Sequence, residues 1–129
     1  VGEQWEYHEI QSLVGEFDEV LVDAMPEVRK VVQKGALNIK TDARQRISGH
    51  PHAPAYPYSI TYDTQVTGNS AVAEIGPDKG KRQGALGNIL EYGTLKNAPL
   101  PHIKPAADEE LPRFERALED LAAKHWEGR

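Results

Sequence analysis

The sequence predicts an α+β fold, with a long N-terminal helical region and a C-terminal helix packed on a small antiparallel sheet built around a β-hairpin. Three observations carry that reading. Apolar residues recur at three- and four-residue steps from Leu13 to Ile47, the period of a helix with one buried face. Residues 58–77 alternate in period two about Gly68-Asn69, as a half-buried hairpin does. A second helical stripe, Ala107, Leu111, Phe114, Leu118, Leu121 and His125, lies near the end of the chain. With 129 residues the chain is one domain's worth, 1–129, with residues 1–11 an extended arm or an edge strand.

In the arm, Trp5 and Tyr7 alternate with Glu6 and His8. An ordinary edge strand explains that pattern, and so does an arm packing on a neighbouring subunit, since aromatics are common at interfaces. The long stripe divides at Met25-Pro26 into helices over 12–24 and 26–47, because proline is costly inside a helix but cheap in its first turn. Gly35 weakens the second helix and would let another backbone approach closely. At about 33 Å, that helix is long enough to overhang the core of so small a domain. Residues 48–57, rich in Pro and Gly, form a loop.

In the hairpin, a two-residue turn sets Val66 opposite Ala71, Thr64 opposite Ala73 and Tyr62 opposite Ile75, giving one apolar face to lay on the 28–47 stripe. The same register opposes Asp63 to Glu74, which requires either solvation at an edge or a longer turn. Residues 78–84 form a polar loop carrying Lys79, Lys81 and Arg82; these could face phosphates or an acidic partner, or line a solvated turn. Residues 86–92 form a short helix with Leu86, Ile89 and Leu90 inward, stopped at Gly93. Pro99, Pro101 and Pro105 then enforce an extended crossing. The final helix spans about 105–126, with Asp108, Glu109 and Glu110 early and Lys124 late, as the helix dipole favours. Pro112 kinks it, unless it starts near Glu109 and Pro112 falls in the first turn.

Composition narrows the function classes. A hydrophobic share of 39% is lean, which suggests that some elements complete their burial against neighbours. A net charge of −5 argues against sequence-reading DNA binding, though not against a ring that DNA passes through. The absence of cysteine removes disulfides, thiol catalysis and Cys-based zinc sites. No apolar run approaches the ~20 residues of a membrane span, and the expectation is a soluble chain without an export signal. His50 and His52 at i, i+2 on a proline-rich loop make a poor metal set, with His8, His102 and His125 remote in sequence. No nucleophile elbow, HExxH or phosphate loop is present, so no enzymatic activity and no cofactor are expected. Glu91 lacks a catalytic partner in sequence; its expected role is to accept backbone hydrogen bonds or pair with a cation, fixing the Gly93 turn.

One block carries a resemblance. Leu90, Glu91, Tyr92, Gly93 and Thr94 are followed by Ala98-Pro99, then by Pro101, His102, Ile103, Lys104, Pro105 and Ala106. This resembles the signature (Leu/Val)-Glu-aromatic-Gly-Thr … Pro-x-Pro-Phe-Leu-x-Pro-Ala of the tail-completion (head–tail joining, neck) proteins of long-tailed bacteriophages. His102-Ile103 departs from it, standing where the family usually has Phe-Leu. Close similarity covers about a sixth of the chain, with a looser likeness of layout elsewhere. The family pattern runs from Pro-Ala straight into helix, which favours the start at Pro105 with a kink at Pro112.

The resemblance implies a structural virion protein of the neck or upper tail, made in the bacterial host cytoplasm. Copies would form a homo-oligomeric ring around double-stranded DNA. The ring would meet the head–tail connector or stopper on one side and the tail terminator or tail tube on the other, with no membrane involved. On this reading Leu90, Glu91, Tyr92, Gly93, Thr94, Pro99, Pro101, Pro105 and Ala106 are structural. Lys79, Lys81 and Arg82 form a partner- or DNA-facing loop, and Trp5 and Tyr7 an inter-subunit arm. A tail-terminator ring protein, or a small soluble bacterial interaction module without catalysis, remain alternatives.

Overall fold

The computed structural model describes residues 12–16, by backbone alone, and 24–127. The elements in order are β1 (Ser12–Glu16), α1 (Met25–Ile47), β2 (Ile60–Thr67), β3 (Ser70–Pro77), α2 (Gly87–Tyr92) and α3 (Ile103–Glu127). Single 3-10 turns occupy Tyr56–Ser59 and Gly84–Leu86. The fold class is α+β, as the two periodicities require. The sheet is antiparallel in the order β1-β3-β2, so the second strand of the hairpin is central.

β1 corrects the expected helix over 12–24. Residues 12–16 pair with β3, from Ser12 opposite Glu74 to Glu16 opposite Ser70. A few apolar residues fit either period, and here the tertiary context decides, because β3 would otherwise expose a row of unpaired backbone groups. Residues 17–23 of that expected helix, and the arm with Trp5 and Tyr7, lie outside the described residues.

α1 follows its expected bounds within one residue, with Pro26 in the first turn, Glu27 early and Arg44 and Arg46 late. One face is buried from end to end: Val28, Val32, Ala36, Ile39, Ala43 and Ile47. The expected overhang is therefore absent, because the sheet and α3 cover the helix along its whole length. Its length gives no separate argument for assembly.

The hairpin register is the expected one, including Tyr62 opposite Ile75, Thr64 opposite Ala73 and Val66 opposite Ala71. Ala71, Ala73 and Ile75 are buried under α1, whereas Val66 is exposed. Position in the sheet explains the difference: Ala71 lies between Val66 and Gly15, while Val66 sits on an outer strand with one neighbour. Asp63 and Glu74 do face each other across the turn-matched register, and both side chains are exposed to solvent.

α3 begins at Ile103 and runs through Pro112. Its inward residues are Ile103, Ala106, Glu110, Phe114 and Leu121, with Leu111 exposed. Phe114 and Leu121 are buried and Ala107 and Leu118 pack against the core, as the stripe predicts; the departure is at one place, where Glu110 and not Leu111 is turned inward. The Glu110 carboxylate accepts from Asn38 Nδ2 at 3.1 Å and Arg113 Nε at 2.8 Å, which offsets its desolvation. α3 lies antiparallel along α1, with His125 on Glu27 at one end and Arg46 on Glu109 near the other. Arg44 ties the end of α1 to the sheet by donating twice to the Ile60 carbonyl, at 3.0 and 2.7 Å.

Candidate functional site: the corner between α2 and α3

The block 85–106 folds as one corner. α2 ends at Gly93, whose N–H donates to the Ile89 carbonyl at 2.8 Å. Gly93 has φ +75° and ψ −174°, a conformation essentially confined to glycine. Space forces the same choice, since a Cβ there would lie 2.7 Å from both the Asn97 carbonyl oxygen and the Pro99 nitrogen. Thr94 then closes a turn: its Oγ1 accepts from Asn97 N–H at 3.1 Å and its own N–H donates to the Asn97 carbonyl at 2.9 Å. The crossing strand is pinned back onto α2 by Leu100 N–H on the Leu90 carbonyl at 2.7 Å.

Glu91 is buried and bonds to the start of α3. Its Oε1 accepts from the backbone N–H groups of His102 at 3.1 Å and Ile103 at 2.9 Å, and its Oε2 accepts from that of Lys104 at 3.2 Å. A helix leaves its first N–H groups without intrahelical partners and carries positive charge at that end, so a carboxylate is the fitting acceptor. Glu91 therefore accepts backbone donors as expected, but the element it fixes is the first turn of α3 rather than the Gly93 turn.

His102 is fully buried beside Ile103. Its Nδ1 lies 2.9 Å from the Leu100 carbonyl and 3.1 Å from Glu91 Oε1. Two acceptors on that side assign the ring proton to Nδ1, so Nε2 accepts from Tyr56 O–H at 2.7 Å. Burial holds the His102 pKa below its ordinary value, opposed by the Leu100 carbonyl and the Glu91 charge. The rings of Tyr56 and His102 meet edge to face at 5.2 Å between centroids.

The other motif residues take supporting positions. Leu90 and Ala106 are buried, and Pro99 and Pro101 line the exposed crossing. Pro105 sits in the first turn of α3, where its missing donor costs little. Tyr92 is exposed, and so is Ile89, which corrects the expectation that Ile89 points inward. With only six residues, α2 has a narrow buried face, and Leu90 and Glu91 occupy it.

The basic loop lies apart from this corner. Asp78 organises it, accepting from Gly80 N–H through its side chain at 2.8 Å and from Lys81 N–H through its carbonyl at 3.0 Å. A Cβ on Gly84 would overlap the Asp78 carbonyl, which keeps that closure tight. Lys79, Lys81 and Arg82 are exposed, and their side chains make no hydrogen bond or ion pair with any described residue. Next to them Gln83, at φ 61°, accepts from Ala55 N–H at 2.7 Å and donates to the His52 carbonyl at 3.3 Å. His50 Nδ1 accepts from His52 N–H at 3.1 Å, a local turn contact. Among the described residues no group of three or more His, Asp or Glu is placed to hold a metal ion, and no helix is long and apolar enough to cross a membrane.

The sequence-named residues thus divide. Glu91, Gly93, Thr94 and the prolines converge on one corner, while the cations stand elsewhere. Tyr56 and Glu110 were not legible as partners. The one signal was His102 itself, a histidine beside the apolar Ile103, whose burial calls for a hydrogen-bond partner such as the Tyr56 hydroxyl. No family model, no curated protein and no solved structure matches this chain.

Proposed function

We propose that the chain is a structural protein of the neck or upper tail of a long-tailed bacteriophage, assembling as a ring that joins the head connector to the tail. The resemblance of the 90–106 block to the tail-completion signature supplies the family. The observation that carries the reading is the use of Glu91: the block's one carboxylate is spent on three backbone donors of α3, so the motif builds a shape rather than a reactive centre. The cations of the 79–82 loop, whose side chains pair with no described residue, are available to an acidic surface or to DNA phosphates in the channel. A heterologous interface closes into a ring when its rotation divides a full turn, so the mechanism here is geometric.

The test is assembly. Mass photometry and negative-stain imaging of the purified chain should give closed rings of uniform mass, and labelled copies should locate to the virion neck. A monomer at every concentration that ignores connector and tail-tube proteins would leave the interaction-module alternative. A stoichiometric bound metal, or turnover of a small molecule, would overturn the structural reading altogether.

A further inference from the structure

We propose that the groove between α1 and α3 receives the acidic, aromatic segment 3–10 of a neighbouring copy; this rests on the ring reading above. The groove holds about 310 Å³, with Val31, Gly35, Phe114 and Ala117 among its lining and Lys30 and Lys34 on its rim. It is flanked by a wider depression of about 620 Å³ that shares Lys34 and adds Leu37, Thr41 and Gln45 together with the carboxylates Asp42 and Glu109, both paired with Arg46. Arg113 is already held by Glu110. The side chains of Lys30 and Lys34 are exposed and make no hydrogen bond or ion pair with any described residue, although the His125 hydrogen bond, aided by the Lys30 charge, holds the Glu27 pKa down. The carboxylates of the two depressions, Glu110, Asp42 and Glu109, are each paired with an arginine. An apolar trough whose charged side chains without an ion pair among the described residues are lysines therefore calls for a ligand that is both apolar and anionic.

This chain contains one such segment. Its first 23 residues hold seven of the 20 acidic residues and none of the 15 Lys and Arg. Within them, Glu3, Glu6 and Glu9 are interleaved with Trp5, Tyr7 and Ile10. Aromatic anchors surrounded by charge are what an interface segment uses. The lengths also agree. Eight extended residues reach about 27 Å, and the stretch of α1 from residue 30 to residue 45 spans about 22 Å.

A rival ligand from the same chain is Leu95, fully exposed on the Thr94 turn. Lys96 beside it would bring a further cation toward Lys30 and Lys34, and charge decides against it.

The experiment uses the full chain with p-benzoyl-L-phenylalanine in place of Leu37, mixing isotopically light and heavy copies before irradiation. The expected result is cross-links from position 37 to residues 3–10, joining light to heavy chains, in particles that mass photometry identifies as rings. The double variant Lys30→Glu/Lys34→Glu, whose altered side chains are exposed, should keep its far-UV circular dichroism and lose both cross-link and ring. Adding Glu3→Lys, Glu6→Lys and Glu9→Lys to it should restore both. Rings that cross-link elsewhere, or only within single chains, would overturn the arm–groove pairing and leave the ring reading standing. A monomer at all concentrations would remove both.

Discussion

Replacing Glu91 tests whether the corner depends on its buried carboxylate. In Glu91→Ala the backbone N–H groups of His102, Ile103 and Lys104 lose their acceptor, the first two in a buried setting. Hydrogen bonds to a charged group contribute about 1.5–3 kcal/mol each, but they are not additive and water can re-enter part of the space. Losing an N-terminal cap alone costs about 1 kcal/mol, and losing the favourable dipole interaction costs up to ~2 kcal/mol in a partly buried site. The expected total is about 3 kcal/mol, or a fall in Tm of roughly 10–15 °C for a chain of this size. Glu91→Gln keeps one acceptor oxygen for His102 and Ile103 N–H but loses the charge and sets its amide NH2, a donor, against the Lys104 N–H donor, so about half that cost is expected. Urea unfolding followed by far-UV circular dichroism measures both, at several protein concentrations because assembly would raise apparent stability. If Glu91→Ala lies within about 0.5 kcal/mol of the parent, the carboxylate does not hold α3 and the account of the motif fails.

Lowering the pH should destabilise the parent: with the folded His102 pKa held below the unfolded value near 6.5, the unfolded chain takes up the proton first. Stability from this group is complete above that unfolded value and declines as pH falls toward the folded pKa. The urea midpoint should track this, and that contribution should vanish in His102→Phe. At neutral pH His102→Phe removes the acceptor of the Tyr56 hydroxyl and should cost about 1–2 kcal/mol. Combination with Tyr56→Phe should give a coupling energy of about 1 kcal/mol in a double-mutant cycle, and strict additivity would mean that the 2.7 Å contact contributes nothing. Gly93→Ala should cost at least about 2 kcal/mol more than Gly49→Ala, because both have positive φ but only Gly93 has backbone atoms in the way of a Cβ; equal costs in thermal melts would refute the steric argument. Pro112→Ala, at an exposed position inside α3, should stabilise the chain by about 1 kcal/mol or more through a restored helix bond to Asp108, and a lower Tm would mean that proline shapes a helix the fold requires.

The elements that were legible in the sequence are those fixed by local chemistry. The hairpin register followed from Gly68-Asn69 and period two alone, and α1 followed from its stripe and Pro26. β1 was not legible: its pairing partner β3 lies nearly 60 residues away, and five residues do not discriminate between the two periods. The α3 stripe was legible at Phe114, Leu118 and Leu121 but not at position 110, for a related reason. Whether a carboxylate faces inward depends on Asn38, which is 72 residues distant. Gly93 could be read from its neighbours, whereas the duty of Glu91 depended on where α3 begins.

That same division separates the tests of folding from the tests of assembly. The corner's polar groups are consumed inside one chain: Glu91 by α3, Thr94 by its own turn, and His102 by Tyr56, Leu100 and Glu91. Substitutions there should lower stability, and any effect on rings should follow from the lost fold. The side chains of Lys30, Lys34 and the 79–82 cations make no hydrogen bond or ion pair with any described residue, and only the partly exposed Glu27 feels the Lys30 charge, so reversing their charge should leave unfolding curves of the dissociated chain within about 0.5 kcal/mol of the parent. An assembly defect without a stability defect would therefore locate an interface on the cationic surface. A stability defect at those lysines would mean that the charge served the fold, and the case for a docking groove would go with it.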